Sequence, residues 1–194
     1  MAPRAYKLLA INDGDRSLSR RGNDDVFVID IDYGGGDARG RLKLELTKLL
    51  QAGSTFRNAV FTTHGNEGFI FFGKDIYIDW HEWYAGFYHA GYEQLFPFPH
   101  TEIYFAGCDV AGGEYGWRFL EAAARTFCRL RGGWAVGWTS LRLGVPSWFP
   151  WIGGHVEHVT GDTRAVSVTD DGYLNFYENF EKVAPPDHVL KRAG

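Results

Sequence analysis

Apolar residues recur along the chain in two alternating patterns. Short runs rich in branched and aromatic side chains read as buried strands: "YKLLAI" (Tyr6 to Ile11), "DVFVIDI" (Asp25 to Ile31), "NAVFTTHG" from Asn58, "TEIYFAGC" from Thr101, and "WAVGWTS" from Trp134. Stretches of helical period separate them. After the turn "YGGG", Asp37 caps a helix to about Gln51, with Leu42, Leu46, Leu49 and Leu50 on one face and Gly53 as its stop. "GFIFFGKDIYID" predicts a hairpin turning at "GKD", followed by an aromatic helix over Glu82 to Leu95 that ends before Pro97. A further helix runs from Glu114 to Leu130, with Trp117, Leu120, Ala124, Phe127 and Cys128 on one side. "RAVSVT" and "GYLNFYENF", between about Thr160 and Phe180, supply a last strand or hairpin, and "VAPPDHVLKRAG" reads as a tail.

Strands alternating with helices at this spacing predict an α/β fold with right-handed crossovers and a mostly parallel central sheet covered by helices on both faces. One domain over residues 1–182 and a C-terminal tail over 183–194 accommodate the whole pattern. In such sheets ligands bind outside the carboxyl ends of the strands. "AVFTT" delivers His64 and Gly65 there, and "IYFAG" delivers Cys108 and Asp109, so both pairs are expected on one edge.

Composition narrows the classes. The 194 residues are 45% hydrophobic and 23% charged, which excludes disorder and supports a packed core. A net charge of -4, with no basic run longer than "SRR" or "RLR", leaves no footprint for nucleic acid. The apolar run in "MAPRAYKLLAIND" suits a first core strand better than a signal peptide, and no stretch reaches the roughly 20 apolar residues of a membrane helix. The expected location is cytoplasmic, with no membrane partner. The two cysteines, Cys108 and Cys128, are too few for a disulfide framework and lack zinc spacing; Cys128 shares a helix face with Ala124 and Phe127 and reads as packing.

Three other signals are discounted. "GFIFFGKD" begins like a phosphate loop but has Asp75 where Ser or Thr should meet magnesium, and "YGGGD" lacks the spacing of a dinucleotide loop. His155 and His158 in "GGHVEHVTGD" would face opposite sides of a strand and match no zinc motif. No metal and no cofactor are expected.

What remains is a thiol and an imidazole. A thiol attacks as thiolate, which a helix N-terminus or a cationic partner favours, and Cys108 precedes a glycine loop that opens the Glu114 helix. His64 could accept the thiol proton or donate to a leaving amine. Gly65 permits close backbone approach, and its N–H with that of Cys108 could form an oxyanion hole. The order and the gap of 44 residues (108 minus 64) agree with the caspase signature, in which histidine precedes cysteine by roughly 50.

"FTTHG" and "YFAGCDVAGG" resemble the His-Gly and Gly-Cys blocks of the caspase-like (clan CD) cysteine peptidases, closest to a bacterial caspase-like domain of unassigned function. The resemblance spans roughly Lys7 to Ser140. It implies a three-layer sandwich, Cys108 as nucleophile, His64 as acid/base, and substrate pairing with the segment after the next strand, roughly Trp138 to Gly144. Asp109, Trp138, Thr139 and Ser140 are thereby the expected substrate-binding residues. Gly107 and Asp109 stand where caspases have Gln-Ala-Cys-Arg-Gly, so aspartate specificity does not carry over.

The expectation is a cysteine endopeptidase acting on protein or peptide through an acyl-enzyme; the alternative is a catalytically inactive module that binds a partner peptide. Family enzymes often require dimerisation or loop cleavage, which makes a homodimer an open expectation and "RLRGG" either a processing loop or a plain helix end. Asp13, Asp15, Asp109 and Glu114 could receive a basic substrate side chain, and Arg16, Arg20 and Arg21 an acidic one; the acids nearest Cys108 tilt the choice towards basic residues. The tryptophan-rich "WTSLRLGVPSWFPWIGG" reads equally as a peptide groove or a satellite hydrophobic cluster.

Overall fold

Continuous apolar runs become the interior strands of a sheet because only strands buried on both faces lack an alternating polar side. The computed structural model describes residues 4–13, 25–31, 37–72, 76–140 and 162–190. Strands β1 (Ala5–Asp13), β2 (Val26–Ile31) and β3 (Thr55–Thr62) lead the main sheet, with helix α1 (Ala38–Gln51) between β2 and β3. A three-stranded antiparallel sheet follows: β4 (His64–Asn66), β5 (Phe69–Phe72) and β6 (Ile76–Asp79). Short helix α2 (Trp80–Glu82) and three single turns precede β7 (Thr101–Phe105), α3 (Gly113–Phe127) and β8 (Gly133–Trp138). The chain closes with β9 (Thr163–Val168), β10 (Leu174–Glu178), β11 (Glu181–Val183) and α4 (Asp187–Leu190).

The main sheet has eight strands in the order β11-β10-β9-β8-β7-β3-β1-β2. The pairs from β2 to β8 are parallel, and β9, β10 and β11 extend the sheet antiparallel from β8. The protein is thus a mixed α/β fold around a mostly parallel sheet.

Helices cover one face. Leu42, Leu46 and Leu49 of α1 and Trp117, Phe119, Leu120 and Phe127 of α3 share a buried cluster with Leu9, Ile11, Phe61, Ile103 and Phe105 of the strands. The opposite face carries a second buried cluster made of strand residues, among them Leu8, Val60, Tyr104, Val136 and Trp138. Helical cover on both faces, expected from the sequence, is therefore seen on one face among the described residues. Crossover handedness explains it: the steps β2 to β3 and β7 to β8 run the same way across the sheet, so right-handed connections put α1 and α3 on one side. The step in the other direction, β1 to β2, passes through residues 14–24, outside the described residues.

The helix expected over Glu82 to Leu95 does not form as one piece. Asp79 caps α2 by accepting from the Glu82 N–H at 3.0 Å, after which the chain widens into a π turn over Trp83–Phe87. Two 3₁₀ turns follow, Tyr88–Ala90 and Tyr92–Leu95, divided by Gly91 at φ 80°. Packing overrides helical period here. Trp83 is fully buried with Phe61, Phe87, Phe105, Phe119 and Phe127 around it at centroid distances of 4.8 to 6.2 Å.

Part of the segment read as a tail docks. His188 of α4 lies with its Nε2 3.1 Å from Glu121 Oε2 on α3, the two side chains being 3% and 4% exposed. Arg125 Nε donates to the other Glu121 oxygen at 3.1 Å, and Tyr84 Oη donates to it at 3.3 Å. Removing the imidazole would leave a buried carboxylate short of one partner. His188→Ala is expected to lower unfolding stability by about 2 kcal/mol, read from urea denaturation, with no change in sheet content by circular dichroism.

Candidate active site

Register brings the two blocks together. Phe61 of β3 pairs with Phe105 of β7, and His64 and Cys108 each lie three residues beyond that pair, at the carboxyl edge of neighbouring parallel strands. The Ala106 N–H donates to the Phe61 carbonyl at 2.9 Å, continuing the contact past the end of the ladder.

Beyond the strands the two backbones touch. A Cβ placed on Gly65 would lie 2.7 Å from the Cys108 carbonyl oxygen and would collide with a methyl of Val110. A Cβ on Gly107 would lie 3.2 Å from both Cα and N of Gly65. Two glycines therefore face each other with the fully buried Val110 filling the space beneath them. His64 is exposed and Cys108 half-buried, so both residues beside this contact are within reach of solvent.

The thiol-bearing loop is held from several sides. Asp109 N–H donates to the Ser140 carbonyl at 2.9 Å, Ala111 N–H to the Trp138 carbonyl at 2.7 Å, and Gly68 N–H to the Val110 carbonyl at 3.1 Å. Arg164 Nη1 donates to the carbonyls of Ala111 at 3.0 Å and Gly113 at 2.7 Å, its Nε donates to Glu178 at 2.8 Å, and its guanidinium lies over the Trp117 ring. Helix α3 then starts at Gly113, close to the expected Glu114, with a tight turn from Cys108 into it closed by Gly112 N–H on the Asp109 carbonyl at 3.0 Å.

Asp109 adopts φ 52°, a left-handed conformation that Asp and Asn tolerate better than other side chains. Burial first, then the negative charge of Glu67, hold its carboxyl above the usual range, while Arg164 pulls it back.

The structure places the expected substrate residues at and after the end of β8 as follows. Trp138 is 1% exposed and stacks edge-on to Tyr104 inside the second core cluster, so its side chain is core. Its carbonyl holds Ala111, the Ser140 carbonyl holds Asp109, and Thr139 N–H and Oγ1 both donate to the Asp162 carbonyl at 3.0 Å. These groups support the thiol loop and the β8–β9 pair. Residues 141–144, Asp15, Arg16, Arg20, Arg21, most of the tryptophan-rich loop and His155 to His158 lie outside the described residues.

Cys128 is 1% exposed, and burial pushes its thiol far up, as suits a packing residue. Among the described residues no group of three or more His, Cys, Asp or Glu could hold a metal ion, and no helix is long and apolar enough to cross a membrane. Sequence reasoning missed Arg164, whose hold on the thiol loop is through carbonyls without any side-chain signature, and Glu67, whose signal was its place two residues after the His-Gly pair.

No family model, curated protein or solved structure matches the chain. Fold and site define it as a mixed α/β protein that presents a cysteine and a histidine from adjacent strand ends.

Substitutions at two positions test this geometry. Gly65→Ala must push the two loops apart and is expected to cost about 1 to 3 kcal/mol of stability, measured by thermal and urea unfolding. For Asp109, a raised carboxyl pKa means the folded protein holds a proton more tightly than the unfolded chain, so that contribution is present at acid pH and lost as pH rises through the folded value. Asp109→Asn is therefore expected to flatten the loss of stability with rising pH. Asp109→Ala should flatten it too but lie lower by about 1 kcal/mol throughout, from left-handed backbone strain. Urea midpoints across a pH series decide both.

Proposed function

We propose that the protein is a cysteine endopeptidase of caspase-like type. The observation that carries the reading is the close contact of the His64-Gly65 and Gly107-Cys108 strand ends, which brings a thiol-bearing residue and an imidazole-bearing residue to one backbone junction. A nucleophile and base held on rigid strand ends, open to solvent, are what nucleophilic acyl transfer requires.

The chemistry follows from those groups. Cys108 gives its thiol proton to His64 and the sulfur attacks the scissile carbonyl carbon. The carbonyl oxygen takes the negative charge and is stabilised by the backbone N–H groups of Gly65 and Cys108. As the C–N bond breaks, His64 returns the proton to the departing amine, leaving a thioester on Cys108. Water then loses a proton to His64, attacks the thioester carbon, and releases the carboxylate product and the free thiol.

The turn from Cys108 leads into the amino end of the fifteen-residue helix α3. The caspase-like three-layer arrangement and the protein or peptide substrate are part of the same proposal, supported by the "FTTHG" and "YFAGCDVAGG" blocks.

The test is cleavage of a diverse peptide library read by mass spectrometry. Wild type is expected to cut, and Cys108→Ala and His64→Ala to lose turnover by roughly 10⁴-fold while keeping their unfolding midpoints. Equal cutting by wild type and Cys108→Ala would refute a thiol mechanism. Binding of peptides without any product would assign the site to recognition alone.

A further inference from the structure

Beside the thiol loop, on the side of the small sheet, lies a cleft of about 430 Å³ lined by Glu67, Phe69, Asp79, Trp80, Tyr115 and Arg118, with Gly68 and His81 completing it. That is within the roughly 300 to 1,000 Å³ of ligand sites. The cleft is coupled to the thiol loop through Gly68, whose N–H holds the Val110 carbonyl, and through Glu67, whose carboxylate lies against Gly113.

Its charges do not cancel. Arg118 is matched outside the cleft by Glu114 at 2.6 Å and lies over the Trp80 ring at 5.5 Å. Asp79 has one oxygen committed to the Glu82 N–H. The His81 ring stacks on Trp80. The Glu67 carboxylate makes no ion pair or hydrogen bond among the described residues. An acidic guest would meet Glu67 and Asp79 as like charges, and an apolar guest would strip water from Glu67 without replacing it. A guanidinium or ammonium on an alkyl stem satisfies both needs, since its stem packs on the walls of Phe69, Trp80 and Tyr115 and its charge faces Glu67 and the aromatic rings. Tyr115, 59% exposed, gains cover in the same step.

We propose that this cleft is a specificity pocket for an arginine or lysine side chain of the bound peptide, with Glu67 as the residue that selects it; the assignment rests on the site binding peptide as argued above. Glu67 lies off the reacting atoms and acts on recognition.

The test separates this inference from the peptidase reading. Cys108→Ala protein is titrated calorimetrically with acetyl-Ala-Ala-Arg-Ala-Ala-amide and with the same peptide carrying citrulline, which keeps the shape of arginine and removes its charge. The arginine peptide is expected to bind about tenfold tighter, and Cys108→Ala/Glu67→Gln is expected to bind both equally, its fold checked by circular dichroism and melting. Equal affinities in the Cys108→Ala protein, absence of binding, or a preference that survives Glu67→Gln each overturns the pocket. Turnover of the library by wild type reports on the peptidase alone, so loss of one reading is told apart from loss of the other.

Discussion

The close approach of Gly65 to Gly107 and Cys108 is the constraint on which the site depends. Two parallel strands normally diverge into loops once their ladder ends, because the sheet twist carries them apart. Here they stay together for three more residues, and they can do so because neither glycine carries a Cβ and Val110 fills the space below. Everything around the contact preserves it. Trp138 and Ser140 receive the N–H groups of Ala111 and Asp109, Gly68 ties in the small sheet, and Arg164 reaches from β9 to two carbonyls of the same turn. Each is a hydrogen bond of modest net worth, about 1 kcal/mol, yet together they come from three separate parts of the chain and restrain the loop.

That loop stands on a core built for stiffness. The ring cluster around Trp83 joins β3, β7, α3 and the turns after α2, so the strands that end at His64 and Cys108 share one set of aromatic neighbours. The buried Glu121 network adds a polar clamp on the far side of α3, drawing in His188 from the end of the described chain. A buried carboxylate with three nitrogen or hydroxyl partners is costly to disturb, and it fixes the rotation of α3 about its axis. The amino end of α3 is thereby aimed at the thiol loop.

Much of this was legible in the residues. Branched apolar runs marked the parallel strands, Asp37 and Gly53 bounded α1 as expected, and the rule of carboxyl ends put His64 and Cys108 on one edge before any geometry was known. The failures have physical causes. A helix over Glu82 to Leu95 follows from period alone, but Gly91 and the demand that Trp83, Phe87, Tyr92 and Leu95 all reach one core break it into turns. Trp138 was expected at the substrate through the family resemblance, and strand parity sends its side chain inward beside Tyr104. The role of Arg164 at the thiol loop was invisible because the groups it holds there are backbone carbonyls, which every residue carries.

Strain at Asp109 bears on what the loop is for. A non-glycine residue at φ 52° is held there against its preference, and such positions persist only where the surroundings over-determine them. The surroundings here are the Ser140 carbonyl on its N–H and the Gly112 N–H on its carbonyl, which together turn the chain into helix α3 within five residues of Cys108. A looser connection would serve a binding groove equally well, since a groove tolerates loop motion. A thiol that must meet a carbonyl carbon and pass a proton to a neighbouring imidazole tolerates far less, because displacement of about 1 Å can cost 10²-fold in rate. On the proposed peptidase reading, the turn's cost in backbone strain serves to position the thiol for reaction.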